Sequence, residues 1–298
     1  MPPEISVVVV SFNMRREVPR TLHSLSASYQ RDIEANKYEI ILVDNGSTTP
    51  WLLSDFNDIH AHLSIINLGE MAKPSPAFAV NCGLRQAKGS LVGVMIDGAR
   101  MATPGLLHSC HRAARLSPRP VIATLGFHLG PESQSISVQK GYNRSVEDKL
   151  LESIDWPRDG YRLFDISTLA DSSRNGWFGP ISESNALFMP GDLWQELGGY
   201  DEGFQSAGGG LVNLDIFDRA LNLADVQLVT LLGEGCFHQV HGGIATNSPP
   251  GHYWNQWREE YRTVRRRDYA EPRKTGMSFG TLPANALRFV GCASAAAS

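Results

Sequence analysis

Apolar runs and helical repeats alternate along the first hundred residues. Residues 5–10 form a continuous β-branched run, which is typical of a parallel strand buried on both faces. Val18, Leu22 and Leu25 then recur at helical spacing. The same patterns predict the later elements of this part, which are strands at 38–43, 63–66 and 91–96 and a helix at 77–87.

This alternation predicts an α/β fold with a mostly parallel central sheet flanked by helices. In such sheets, ligands bind beyond the carboxyl ends of the strands. Ser11, Asp44 and Asp97 each follow one of the predicted strands. We therefore expect a binding site at this edge, although polar residues also simply terminate strands.

The second half of the chain has weaker patterns. Residues 121–127 are a further strand candidate, and a polar stretch follows as far as Asp171. Tyr253, Trp257 and Tyr261 recur every four residues, which predicts an amphipathic packing helix. No repeat or low-complexity linker divides the chain, so a single domain is preferred.

Composition narrows the function classes. A net charge of −4 and 42% apolar residues describe an ordinary globular protein with no electrostatic reason to bind nucleic acid. The four cysteines are far apart, so the sequence predicts neither a zinc site nor a disulfide framework. No apolar run approaches the ~20 residues of a membrane helix, and the first strand follows without a signal sequence. We expect a cytoplasmic protein.

Five segments, in order, resemble the inverting family-two glycosyltransferases with the GT-A fold. They are VVVVSFNMRREVPRTLHSL, VDNGS, AVNCGLRQAKGSLVGVMIDGA, ALFMPGDLWQELGGYDEGF and FHQVHGG. The resemblance covers roughly residues 4–245. It implies one GT-A domain over 1–270, with a nucleotide-binding half (1–100), a metal and acceptor half (101–245) and a packing helix (246–270), followed by a tail (271–298).

The resemblance implies transfer of a sugar, with inversion, from a nucleotide diphosphate donor to an acceptor hydroxyl. We expect a UDP- or dTDP-sugar donor, a glycan or glycolipid acceptor, and a role in polysaccharide or glycoconjugate assembly. Because the chain has no membrane-spanning segment, any contact with the inner face of a membrane would be peripheral. The alternative is a non-catalytic GT-A-like domain that binds a nucleotide or a partner protein.

The donor nucleotide is expected near the ends of the first strands. Asp44 is placed to accept a hydrogen bond from a uracil or thymine imide, with Ser11 lining the same pocket. The other interpretation of Asp44 is an Asx turn before Gly46. Asn81 lies where the family has polar residues near the nucleotide, although local packing of its helix is the competing interpretation.

A departing nucleoside diphosphate needs positive charge against its phosphates. The family places an Asp-x-Asp metal site after the fourth strand, but here the sequence has Asp97 and then Ala99. Asp97 and His238 are candidate ligands for Mg²⁺ or Mn²⁺, and an imidazole ligand favours Mn²⁺. His241 is a further candidate, either as a ligand or as a phosphate-binding residue. With one acid missing, the cation need not be obligatory.

Inverting transfer also needs a base for the acceptor proton. The family provides an acidic pair in a phrase like Gly-Gly-Glu-Asp, where this chain has Val212 and Asn213. Asp215 and Glu183 are the candidate bases, and binding without catalysis is the third interpretation. Trp177 is expected either to stack on an acceptor sugar or to anchor its loop in the core.

Overall fold

The computed structural model describes residues 2–59 and 61–290; Cys292 and the closing CASAAAS segment lie outside this part. The strands are β1 (Ile5–Ser11), β2 (Tyr38–Asp44), β3 (His62–Asn67), β4 (Leu91–Met95), β5 (Arg100–Ala102), β6 (Pro120–Leu129), β7 (Ser167–Leu169), β8 (Leu187–Pro190), β9 (Gln227–His238) and β10 (Met277–Gly280). The α-helices are α1 (Glu17–Ser24), α2 (Ala77–Gln86), α3 (Leu106–Ala113), α4 (Gln134–Gln139), α5 (Arg144–Glu152), α6 (Gly191–Leu197), α7 (Val212–Leu221), α8 (Ile244–Asn247) and α9 (Trp254–Arg265).

The strands of the described residues form one sheet in the order β10-β9-β6-β8-β4-β1-β2-β3, with β5 paired to β9 and β7 paired to β6. Pairings among β1, β2, β3 and β4 are parallel, as are those of β9 with β6 and β10. Strand β8 runs antiparallel between β4 and β6. The predicted α/β fold with a mostly parallel sheet is confirmed.

Both faces of the sheet are covered. Along β1, Val8 and Val10 pack into one apolar core, while Val7 and Val9 pack into the other. Successive side chains of a strand point to opposite faces, so a continuous apolar run fits a strand buried on both sides. Burying such a side chain stabilises the fold by about 1.5–3 kcal/mol.

The elements predicted for the first hundred residues agree with the observed ones to within about two residues. Strand β6 extends the predicted strand at both ends. Helix α9 forms where the aromatic residues recur, and Tyr261 is fully buried in the core. Helices α4 and α5 lie in the polar stretch that had shown few signals.

The segment 271–298, interpreted from the sequence as a tail, is partly built into the fold. Its strand β10 pairs in parallel with β9, and Phe289 packs in the core beside Phe127. The short edge strand and a 3-10 helix at Ala284–Phe289 had no periodic signal in the sequence. Among the helices described, none is both long enough and apolar enough to cross a membrane.

Candidate active site

Asp44 and Ser11 are neighbours at the carboxyl edge of the sheet, where their Cα atoms are register partners. Asp44 is only 1% exposed. Its Oδ1 accepts a 2.9 Å hydrogen bond from the backbone of Ser47, which is the predicted Asx turn, and Gly46 follows with φ +83°. The second oxygen, Oδ2, is buried and has no hydrogen-bond partner among residues 2–59 and 61–290. The turn therefore leaves one carboxylate oxygen available to a ligand.

The loop after β1 is held against the loop after β2. Ser11 Oγ accepts a 3.2 Å hydrogen bond from Trp51 Nε1, and the guanidinium of Arg15 lies 4.2 Å from the centre of the Trp51 ring. Asn13, at φ +54°, accepts a hydrogen bond from the backbone of Thr48. These contacts enclose the edge at which Asp44 lies.

Asp97, His238 and His241 form a cluster at the same edge of the sheet. Asp97 Oδ2 lies 2.8 Å from His238 Nε2 and 3.3 Å from His241 Nε2, and the two imidazole nitrogens are 3.1 Å apart. One ligand atom from each residue lies within 4.8 Å of the others. A carboxylate oxygen and two imidazole nitrogens are a suitable donor set for a divalent transition metal.

Gln134 orients the ring of His238. Its side-chain oxygen lies 2.6 Å from His238 Nδ1 and accepts the hydrogen on that nitrogen. A neutral ring held in this way has no hydrogen on Nε2, so its lone pair faces Asp97 Oδ2. A cation between the two atoms would satisfy both, so the ring is oriented as a metal ligand requires.

Charge in the cluster is uneven. Burial alone would raise the pKa of Asp97, but attraction to His241 holds that pKa well below its usual value. Burial, reinforced by the charge of Arg100, lowers the pKa of His238 to about 4. Burial also opposes the charged form of His241, but Asp97 outweighs it and raises the pKa of His241. Asp97 is therefore anionic and His238 neutral near pH 7.

The loop that carries His241 is fixed on both sides. The backbone N–H of Val240 donates to Glu147 Oε2 at 2.9 Å, and Arg144 of α5 donates to the carbonyl of His241 at 3.2 Å. The N–H of Gln239 donates to the carbonyl of Ala99 at 2.8 Å. Gly242 then reverses the chain at φ +94°, a conformation that other residues rarely adopt.

Residues 6–98 match the model of the family described as glycosyl transferase family 2. This part of the chain is therefore similar to family-two glycosyltransferases. The matched residues contain β1, β2, α2 and β4, and with them Ser11, Asp44 and Asp97. No curated protein matches the chain.

Solved structures share the fold. Residues 1–349 of TarS from S. aureus in complex with UDP align with a TM-score of 0.54 and 15% identity, over 90% of this chain and 67% of that one. The mannosyltransferase PcManGT from Pyrobaculum calidifontis, in complex with GDP-Man and Mn²⁺, aligns with a TM-score of 0.51 and 17% identity, over 91% and 66%. The chain spans 57% of another TarS 1–349 structure and 37% of the longer TarS. The GT-A fold is shown by these alignments.

Asp215, which the sequence suggested as a base, is an ion-pair residue. Its side chain is fully buried, and both oxygens accept hydrogen bonds from two arginines. Arg265 donates to Oδ1 at 2.5 Å and to Oδ2 at 2.7 Å, and Arg219 donates to Oδ2 at 2.8 Å. Both carboxylate oxygens are therefore engaged in ion pairs, which supports a structural role. Asp215 as the base stays a prediction, and Glu183 is the other candidate.

Glu183 has the surroundings that Asp215 lacks. It is half-buried, Asn213 Nδ2 donates to its Oε2 at 2.6 Å, and its Oε1 accepts no hydrogen bond from the described residues. The same amide of Asn213 lies 3.2 Å from Asn185 Oδ1 and 3.4 Å from the carbonyl of Ser184, so it is held against the segment that carries Glu183.

Trp177 belongs to the core. It is 1% exposed, its Nε1 donates to the carbonyl of Ala286 at 3.2 Å, and its ring lies beside Phe127 and Phe164. Stacking on an acceptor sugar requires an accessible ring face. That interpretation of Trp177 is therefore wrong, and the competing one, a loop anchored in the core, describes the structure.

Asn81 joins two parts of the chain. Its Nδ2 donates to the carbonyl of Tyr200 and to Glu202 Oε1, and its Oδ1 accepts from the backbone of Tyr200 at 2.9 Å. Both amide hydrogens are used in these contacts. The structure thus gives Asn81 a packing role, over a longer distance in sequence than a local cap, and offers no free donor to a nucleotide.

Two residues of the site were absent from the sequence predictions. Gln134 orients His238, and Arg100 lies with its Nε 3.9 Å from Asp97 Oδ2. The signal for Arg100 was its position three residues after Asp97, at the start of a short strand. Nothing local marked Gln134, because its partner lies 104 residues away.

Proposed function

We propose that this protein is a nucleotide-sugar glycosyltransferase of hexosyl type that acts with inversion on a glycan or glycolipid hydroxyl. The observation that carries the proposal is the placement of the Asp97–His238–His241 cluster at the strand edge that also bears Asp44. A nucleotide diphosphate has a base and two phosphates to be recognised. This edge offers an unpaired carboxylate oxygen of Asp44 for the base and a set of metal ligands for the phosphates.

Asp44 would recognise the base. Its unpartnered Oδ2 is an acceptor that suits an imide N–H of uracil or thymine, so we propose a UDP- or dTDP-sugar donor. Ser11 and Trp51 line the neighbouring wall through their own hydrogen bond. TarS has been crystallised with UDP and UDP-GlcNAc, whereas PcManGT has been crystallised with GDP-Man, so the fold itself does not select the base.

Asp97 Oδ2 and the Nε2 atoms of His238 and His241 would hold a divalent cation, with Mn²⁺ preferred over Mg²⁺ because two ligands are imidazoles. Such a cation supplies charge neutralisation for a leaving diphosphate. The backbone N–H of Ala99 donates to the other oxygen of Asp97 at 2.9 Å, which keeps Oδ2 directed at the imidazoles.

Glu183 would act as the base. As the acceptor oxygen attacks the anomeric carbon, its proton passes to Glu183 Oε1, and the bond from that carbon to the nucleoside diphosphate breaks. Asn213 holds Oε2 through its amide, and Tyr200 in turn donates to Asn213 Oδ1 at 2.9 Å. These bonds fix the carboxylate while leaving one oxygen for the acceptor.

A non-catalytic GT-A-like domain is the second candidate function, because Asn213 stands where the family resemblance leads one to expect an acid. Calorimetric titration with UDP, dTDP and GDP, with and without Mn²⁺, tests the donor site. Donor hydrolysis or transfer by the wild type and by Glu183→Gln then tests catalysis. Nucleotide binding without any turnover, over a panel of UDP- and dTDP-sugars, would support the non-catalytic candidate.

A further inference from the structure

Arg100 is a buried cation next to the metal-ligand cluster. It begins strand β5, where its Cα is the register partner of His238, and its side chain is 8% exposed. Register partners in an antiparallel pair share a face of the sheet, so both side chains point to the same side. Arg100 Nε and Nη1 are buried and have no hydrogen-bond partner in the part of the chain that the structure describes.

The surroundings of Arg100 do not neutralise it. Among the described residues, the one carboxylate within ion-pair distance is that of Asp97, which is 3.9 Å away and already contacts two imidazoles. A guanidinium does not lose its proton in proteins, so it remains charged. A buried cation with unpaired N–H groups is unfavourable unless an anion binds it.

Position 99 contributes nothing to charge at this site. Ala99 is fully buried and packs in the apolar core with Ala102 and Met95, so no acid is present at the second metal-site position. The site therefore has one carboxylate and one permanent cation. An added divalent cation meets a nearly neutral site, whereas an added diphosphate meets a guanidinium whose Nε and Nη1 make no hydrogen bond to the described residues.

We propose that Arg100 binds the diphosphate of the donor directly and stabilises it as it leaves, so that donor binding persists without a divalent cation. The inference rests on the proposed function, since it concerns the leaving group of that reaction. A planar guanidinium offers several N–H donors in one fork, which suits phosphate oxygens. Charge neutralisation of the leaving group is thereby shared between Arg100 and the Asp97 cluster.

The test is calorimetry in EDTA with UDP, dTDP and GDP, each compared with its own nucleoside. Wild-type protein should bind at least one diphosphate about 10–100-fold more tightly than the matching nucleoside, as expected for hydrogen bonds to a charged group. Arg100→Gln should lose this preference, and Arg100→Lys should keep part of it because it retains charge but not the fork. Arg158→Gln, at an exposed arginine, is the control and should bind as the wild type does.

Separate outcomes overturn the inference and the proposed function. Wild-type protein that binds a diphosphate only when Mn²⁺ is present, or an Arg100→Gln variant that keeps the full preference in EDTA, overturns the role of Arg100 alone. Absence of binding to all three nucleotides even with Mn²⁺ overturns both. If a thermal melt shows that Arg100→Gln is unfolded, the wild-type protein still tests the inference, because it must bind a diphosphate more tightly than the matching nucleoside in EDTA.

Discussion

Asn213 Nδ2 donates a 2.6 Å hydrogen bond to Glu183 Oε2. Asn213 lies on α7, at the position where the family resemblance leads one to expect a catalytic acid. Glu183 lies 30 residues earlier, in the loop before β8. At the position of the expected acid, the amide of Asn213 instead orients the carboxylate of Glu183. The proposed base therefore comes from another part of the chain, but it is still a carboxylate.

Replacement of Glu183 by Gln should lower kcat by about 10²–10⁴-fold and leave donor binding nearly unchanged. The amide keeps the size of the side chain but cannot accept the acceptor proton. Steady-state kinetics and calorimetry with the same donor make the comparison. Glu152→Gln, an exposed acid on α5, serves as the control; equal kcat values for both variants would exclude Glu183 as the base.

Replacement of Asp215 by Asn should lower the free energy of unfolding by about 3–5 kcal/mol, because two partly buried arginines lose their shared carboxylate. Denaturant titration measures this free energy. Asp218→Asn is the matched control, because Asp218 lies on the same helix and pairs with the more exposed Arg267. It should lose about 1 kcal/mol or less. A smaller loss for Asp215→Asn than for Asp218→Asn would contradict the ion-pair assignment.

Asp44→Asn should weaken nucleotide binding by about 1–3 kcal/mol. The amide oxygen can still accept the Ser47 N–H, so the turn is preserved, while the free acceptor becomes a donor. Asp225→Asn is an exposed control at a positive φ that Asn tolerates. Unchanged affinity in Asp44→Asn, measured by calorimetry with UDP and dTDP, would place the base elsewhere.

Gln134→Leu should weaken Mn²⁺ binding by about 10–100-fold, because the ring of His238 loses the acceptor that fixes its tautomer. Nucleotide binding in EDTA should change little. Gln139→Leu alters the exposed end of the same helix and should leave Mn²⁺ affinity at the wild-type value. Calorimetry with Mn²⁺ in the presence of nucleotide compares the two variants. Equal Mn²⁺ affinities for Gln134→Leu and Gln139→Leu would show that Gln134 does not support the metal site.

Stability should fall as the pH rises from about 4.5 to about 7 because of Glu234. Burial, which outweighs hydrogen bonds from Thr103 and Tyr161, raises the pKa of Glu234 from 4.5 to about 7. The folded state binds more protons than the unfolded state in this window, so its stability is greatest below the window and is lost through it. The loss is at most about 3 kcal/mol.

Glu234→Gln tests that pH dependence, because the amide remains neutral at every pH. The variant should gain stability relative to the wild type at pH 8 and show a flatter profile between pH 4.5 and 7. Denaturant midpoints at several pH values give the comparison. Glu132→Gln, at an exposed salt bridge, should leave the slope unchanged, and a wild-type slope in Glu234→Gln would assign it to another group.

Local pattern in the sequence was enough for the scaffold of the donor edge. The apolar runs of β1, β2 and β4 and the spacing of α2 predicted these elements, since the alternation of side chains along a strand or helix is a local property. The rule that ligands bind beyond the carboxyl ends of parallel strands then selected Ser11, Asp44 and Asp97. That rule needs only the strand ends and their direction.

Only the tertiary structure decided which side chains remain free for chemistry. In the sequence, Asp215 and Trp177 both look available for chemistry. In the structure, Arg265, fifty residues later, donates to both oxygens of Asp215. The indole N–H of Trp177 donates to the carbonyl of Ala286. Arg100 became a candidate because two of its buried nitrogens have no hydrogen-bond partner among the described residues, and Glu183 was preferred to Asp215 because only one of its oxygens is engaged. Partners distant in the chain set the charge and accessibility of a side chain, and no local pattern encodes those contacts.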